Sequence, residues 1–193
     1  MRKVAVTGQI ASGKSSFCRF LEECGAFVMS ADQVVRQLLS PRSPIGKKVI
    51  ELLGAEIVAG ESLDRAIIAQ KVFNNPSLLR KLEELLHPEV LKQMNQTYEQ
   101  VVRDRLSYPL FVCEVPLLFE SGMERCFDVV IVVISEQVRL PNSMTEQEYL
   151  QRQKRFLPTK EVVERADFVI SNQGTMGDLK REAQKTFNFL TSL

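Results

Sequence analysis

The apolar run Val4-Ala5-Val6-Thr7 leads directly into Gly8-Gln9-Ile10-Ala11-Ser12-Gly13-Lys14-Ser15. No other stretch limits so tightly what this chain can fold into. A short, unbroken apolar run is the pattern of a strand buried on both faces, as in a parallel sheet. The glycine-rich turn after it lets backbone N–H groups point inward and cradle an anion. A helix starting near Gly13 adds the positive end of its dipole. The lysine can then reach the terminal phosphates, and the hydroxyl can ligate Mg²⁺. This is the GxxxxGK[ST] spacing, and it predicts a nucleoside-triphosphate site on Gly8, Ala11, Ser12, Gly13, Lys14, Ser15 and Ser16.

Further along, strands and helices alternate. Phe17, Phe20 and Leu21 recur at helical spacing, and Gly25 stands where a helix-ending glycine belongs. Ala26–Met29 reads as a second strand, with a helix from Asp32 that stops before Pro41. Residues 44–106 are strand-poor and read as helical, with Asp64 as an N-cap and Pro88 kinking or restarting a long helix. Strands return at Leu110–Cys113, 128–134 and Phe168–Ile170, separated by a polar helix over 145–155 and followed by a final helix over 176–190. The pattern predicts an α/β fold, a parallel sheet with helices on both faces and a helical insertion beside it.

The 193 residues suit one unit with a small subdomain, and 45% hydrophobic content can fill a core. A net charge of +1 argues against nonspecific nucleic-acid or membrane binding. No apolar stretch approaches the length of a membrane span. Cys18, Cys24, Cys113 and Cys126 lack zinc-like spacing, and Cys113 lies in an apolar run, so reduced thiols and a cytoplasmic location are expected. A monomer is slightly favoured.

Two carboxylates stand at the ends of strands. Glu114 closes "LFVCE", where a carboxylate could polarise Mg²⁺ through its water shell or simply end the strand. Asp32 follows the second strand, where it could orient or deprotonate an acceptor hydroxyl or cap a helix. There is no NKxD base-reading motif of a GTPase.

Beyond these residues, the chain resembles the dephospho-coenzyme A kinase family over nearly its whole length. The blocks are "VTGQIASGKSS", "GAFVMSADQVVRQLL", "LDRAIIAQKVFNNPSLLRKLEELLHPEV", "EVPLLFESGMERCFDVVIVV" and "RADFVISNQG", in that order. The resemblance implies transfer of the γ-phosphoryl group of ATP to the ribose 3′-hydroxyl of dephospho-coenzyme A, the last step of coenzyme A synthesis. It implies a nucleotide-kinase-like architecture: a core sheet, a helical acceptor insertion over about 44–106 and a lid over about 136–157. By position, it makes Lys14, Asp32 and Arg152 catalytic. Arg65, His87, Pro116, Leu117 and Glu120 fall with Asp32 on the acceptor side, and Leu117, Leu118 and Phe119 either wall the acceptor pocket or belong to the core. Asn172 and Gly174 match the loop beside the donor adenine, and Ser15 with Glu114 serves the metal.

Four positions depart from the family pattern. Ser30 and Ser171 replace aspartates, Phe156 replaces a glutamine, and the segment between Ile134 and Thr145 is several residues shorter. The shortened lid leaves Arg139, Arg152, Lys154 and Arg155 as its available cations, Arg152 first and Arg139 second. Two rivals stand beside this reading: another P-loop kinase of small molecules or nucleotides, and a nucleotide-binding protein that has lost turnover.

Overall fold

The computed structural model describes residues 1–73, 75–104, 108–136 and 145–192, the side chains of Gln147 and Glu148 apart. Strand β1 (Arg2–Gly8) leads into helix α1 (Lys14–Glu23), then β2 (Phe27–Ser30), α2 (Ala31–Leu38) and α3 (Pro44–Leu53). A 3₁₀ turn at Ala55–Ile57 precedes β3 (Val58–Ala59) and β4 (Ser62–Leu63). Helices α4 (Arg65–Phe73) and α5 (Pro76–Arg103) follow. The chain then forms β5 (Leu110–Glu114), a 3₁₀ turn at Met123–Cys126, β6 (Val129–Ile134), α6 (Glu146–Gln153), α7 (Thr159–Glu164), β7 (Phe168–Ser171) and α8 (Met176–Ser192).

The chain divides into two compact units. The first comprises Met1–Ser30 and Val101–Leu193. Its sheet has the order β2-β5-β1-β6-β7, and every neighbouring pair is parallel. Alternate residues of the central strands, Val4, Val6, Val112, Ile131 and Val133, join Phe17 and Leu21 of α1 and Leu179 of α8 in one buried cluster. Burying each such side chain stabilises the fold by about 1.5–3 kcal/mol. On the opposite face Val132 shares a narrow cleft with Phe119 and with Val162 of α7. Helix α1 ends as its sequence suggests: the N–H groups of Gly25 and Ala26 donate back to the carbonyls of Glu22 and Leu21 at 2.9 and 3.0 Å, the paired bonds of a Schellman ending.

The second unit is Ala31–Gln100. Asp64 caps α4 as anticipated, its Oδ1 accepting from the N–H groups of Ala66 and Ile67 at 2.8 and 3.1 Å. Three features narrow what the sequence left open. The middle is not purely helical, because β3 and β4 pair antiparallel through Val58–Leu63 and Ala59–Ser62. Pro88 does not restart the helix, since α5 runs through it for 28 residues. Leu82, Leu86, Val90 and Met94 form a buried stripe that spans the proline. Their burial outweighs the roughly 3 kcal/mol cost of one proline inside a helix. Asp32 does not cap α2, because the helix begins one residue earlier and places it in the first turn, where the helix dipole favours a negative charge. Helix α7 was not anticipated from the sequence at all.

Candidate active site

The turn between β1 and α1 is built around backbone geometry. Gly8, with φ 138°, lies so close to β6 that a Cβ would sit 2.1 Å from the Val133 carbonyl oxygen. Gly13 caps α1 in a left-handed conformation, φ 94°. A Cβ there would stand 2.4 Å from Nδ2 of Asn172. Ala11, with φ 60°, also holds a left-handed conformation that costs a non-glycine residue about 1–2 kcal/mol. Such strain in a tightly held loop is a mark of ligand-binding geometry.

The side chains complete this loop. Lys14 is buried, and its Nζ donates to the carbonyls of Gly8 and Gln9 at 3.0 and 2.6 Å. The ammonium is thereby kept over the loop while its ordinary partners are backbone oxygens. Ser12 is 1% exposed, and its Oγ has no hydrogen-bond partner among the described residues. A buried hydroxyl left unpaired costs about 1–3 kcal/mol. A phosphate oxygen in the loop would satisfy it, so these residues fit a polyphosphate. Ser16 occupies the next position of α1, half-buried.

Ser15 Oγ donates to Glu114 Oε1 at 2.7 Å. The sheet register explains the meeting: Glu114 ends β5 directly beside Val6 of β1 and Ser30 of β2. A hydroxyl and a carboxylate side by side are hard oxygen donors. They suit Mg²⁺, which takes one or two protein oxygens and draws its other ligands from water and phosphate. The Glu114 carboxylate also acts on its surroundings. Burial first, then this negative charge, pushes the Cys18 thiol well above its ordinary value.

The loop after β7 buttresses the phosphate loop. Asn172 Nδ2 donates to the Ser12 carbonyl at 3.0 Å, while Asn172 N–H donates to Ile134 O at 2.8 Å. Ser135 Oγ donates to Asn172 O at 3.0 Å. Asn172 thus ties β6, β7 and the phosphate loop together. Gly174 precedes Thr175, whose N–H and hydroxyl both donate to the Asp178 carboxylate. These two bonds, with Arg181 beside them, hold the Asp178 carboxyl below its ordinary value.

Pro116 O accepts a 3.1 Å bond from the Thr7 hydroxyl. Leu117 is half-buried, whereas Leu118 and Phe119 are buried in the first unit's interior. Glu120 accepts a 2.7 Å bond from the Leu157 N–H. Arg152 is exposed in the last turn of α6, and its guanidinium has no hydrogen bond or ion pair among the described residues. Arg139 lies outside the described residues. In the second unit, Asp32 is exposed and its carboxylate has no hydrogen-bond or ion-pair partner among the described residues. Arg65 is exposed at the start of α4, and His87 is half-buried on α5.

Sequence reasoning missed Gln9, Thr159 and Arg165. The Gln9 amide donates to the Thr159 hydroxyl. Arg165 pairs with Glu124 at 2.5 Å and lies over the Phe119 ring, 4.4 Å from its centre. Gln9 occupies one of the free positions of the glycine–lysine spacing, so the motif carried no signal for it.

Among the described residues, no helix is long and apolar enough to cross a membrane. Comparison with known proteins gives the same picture as the geometry. A dephospho-CoA kinase of Chlamydia abortus is 42% identical over 191 residues, covering 96% of this chain and 94% of its own length. A crystal structure from Thermus thermophilus superposes with a TM-score of 0.80 at 30% identity, covering 98% of this chain and 97% of that one. The dephospho-CoA kinase of Campylobacter jejuni shares the fold, with a TM-score of 0.73 at 24% identity and the same coverage. The family model for dephospho-CoA kinase matches residues 2–178, which include the phosphate loop, Glu114 and the Asn172 buttress, and the chain belongs to that family.

Proposed function

We propose that this chain phosphorylates the ribose 3′-hydroxyl of dephospho-coenzyme A through Lys14, Ser15, Asp32 and Glu114, with Mg²⁺ as the metal. The observation that carries this assignment is the Ser15–Glu114 hydrogen bond beside a buried Lys14. It sets a hard-oxygen pair, one from α1 and one from the end of β5, beside the residue that carries the ammonium.

Phosphoryl transfer needs positioning and charge stabilisation more than covalent help. The loop N–H groups and the Ser12 hydroxyl bind the phosphates. Lys14 exchanges its two carbonyl partners for phosphate oxygens, whose negative charge it neutralises as the γ-phosphoryl group departs. Ser15, and Glu114 through water, would hold Mg²⁺, which would offset charge on the phosphate chain. The acceptor 3′-oxygen forms a bond to the γ-phosphorus as the bond to the β,γ-bridging oxygen breaks, and ADP leaves. The unpartnered Asp32 carboxylate accepts or orients the hydroxyl proton. Arg65, His87, Pro116, Leu117 and Glu120 are assigned to the acceptor, Asn172 and Gly174 to the donor base, and Arg152 to the transferring phosphates. Residues 44–106 form the acceptor-binding insertion of this reading, and about 136–157 its shortened lid.

The test is incubation of the full chain with ATP and Mg²⁺ against dephospho-coenzyme A, adenosine monophosphate and a simple sugar, with products resolved by mass. A single phosphoryl group added at the 3′-position of dephospho-coenzyme A is expected. Transfer only to the other acceptors would refute the assignment.

A further inference from the structure

Contacts hold α7 at both ends and the segment just before it. Gln9 of the phosphate loop donates its side-chain amide to Oγ1 of Thr159, the first residue of α7. Glu120 Oε1 accepts the Leu157 N–H at 2.7 Å. At the other end of α7, Arg165 bonds Glu124 and covers the Phe119 ring. Phe156, Leu157 and Thr159 line one narrow cleft together with Thr7, Gly8 and Gln9.

Gln9 stands at the centre of this arrangement. Its carbonyl oxygen accepts from Lys14 Nζ at 2.6 Å and from the Ser12 N–H at 3.3 Å. Its side chain holds Thr159. One residue therefore touches both the phosphate-binding lysine and the root of α7. From Thr159 the connection back to Arg152 is short, and its part next to α6 is hydrogen-bonded: Phe156 N–H donates to Gln153 O at 3.0 Å, and Arg155 N–H donates to Arg152 O at 3.1 Å.

We infer that Gln9 and Thr159 form a clasp that sets the position of the arginine-bearing helix α6 relative to the phosphate loop, making both of them positioning residues for phosphoryl transfer. The inference rests on the kinase reading above. Neither residue need touch a substrate. The clasp acts because a charged donor gains most when its distance to the transferring group is fixed in advance. Glu120 and Arg165 brace the two ends of α7, so that a pull on Thr159 is transmitted rather than absorbed.

The experiment uses the full chain with ATP, Mg²⁺ and dephospho-coenzyme A. Thr159→Val keeps the shape and removes the hydroxyl, whereas Thr159→Ser keeps the hydroxyl. A net hydrogen bond is worth about a fivefold change. Thr159→Val should therefore lower kcat about fivefold with KM for dephospho-coenzyme A unchanged, and Thr159→Ser should restore kcat to within about twofold. Gln9→Ala should lower kcat similarly, and the double variant Gln9→Ala/Thr159→Val should be no slower than the slower single one, because both remove the same bond. Wild-type kcat in Thr159→Val overturns the clasp. So does an equal loss in the Val and Ser variants, which would make Thr159 a packing residue. A wild-type chain that forms no coenzyme A overturns the kinase reading and the clasp with it, whereas normal turnover insensitive to Thr159→Val overturns the clasp alone.

Discussion

Gly13→Ala tests how the phosphate loop is held, and the structure sets its size. Two costs arise. The new Cβ must occupy a backbone at φ 94°, a left-handed conformation that costs about 1–2 kcal/mol outside glycine. It would also stand 2.4 Å from Asn172 Nδ2, which forces that amide aside. The displaced amide loses its 3.0 Å bond to the Ser12 carbonyl, worth about 1 kcal/mol. The total is about 2–3 kcal/mol, and Asn172→Ala alone should cost about 1 kcal/mol through the same bond. In the double variant the clash is gone and the bond is lost once. It should therefore be less destabilised than the sum of the singles by about 1 kcal/mol. Denaturant midpoints of the four proteins measure this directly. Calorimetry should follow, with each kcal/mol shifting Tm by about 2–4 °C at this chain length. Strict additivity, or a Gly13→Ala chain as stable as wild type, would refute the account of Asn172 as the buttress of the loop.

Three further outcomes are expected. Lys14→Ala should cut kcat by about 10²–10³ and Asp32→Asn by about 10²–10⁴ while both substrates still bind. Steady-state kinetics with binding calorimetry separates the two effects, and unchanged kcat in Asp32→Asn would leave that residue only its place in the first turn of α2. Arg152→Ala should lower kcat/KM about tenfold or more, as loss of a charged hydrogen bond does, leave the denaturant midpoint unchanged, and alter the ATP-to-GTP ratio of kcat/KM. Burial pushes the Cys18 and Cys113 thiols above their ordinary values. The unfolded chain releases these protons above about pH 8.5 while the folded chain keeps them, so stability is intact below that pH and falls as pH rises above it. Denaturant midpoints from pH 7 to 10 should show this slope, and Cys18→Ala with Cys113→Ala should flatten it.

The central strands β1, β5 and β6 were legible because each is a short, uniform apolar run bounded by turn residues, the pattern of a buried parallel strand. The phosphate loop was legible because its chemistry demands residue types at fixed spacing. Other features depended on tertiary context. Strands β3 and β4 have two residues each, and Val58 and Ala59 are exposed, so no alternation marks them. Pro88 is read locally as a break, and only the stripe of Leu82, Leu86, Val90 and Met94 carries the helix past it. The sequence placed Asp32 at a helix start but not the helix boundary one residue before it. Helix α7 is six residues long, and Gln9, Thr159 and Arg165 matter only through partners distant in sequence. The Glu120 carboxylate meets the Leu157 N–H. No local pattern could reveal that contact.

The strand order also governs when the phosphate loop can exist during synthesis. Strands β1 and β2 are not neighbours, and each pairs with β5, whose residues begin at Leu110. The other partner of β1 begins at Val129. A ribosome that has released only the first thirty residues has released a glycine loop with no sheet to hang from. Pairings this distant in sequence must close large loops before any contact rewards them, which slows folding and leaves strand edges open. The apolar N-terminal segment therefore waits, exposed, while the whole of Ala31–Gln100 emerges. The strand edges left open during that wait are where association with a chaperone or misassembly would begin.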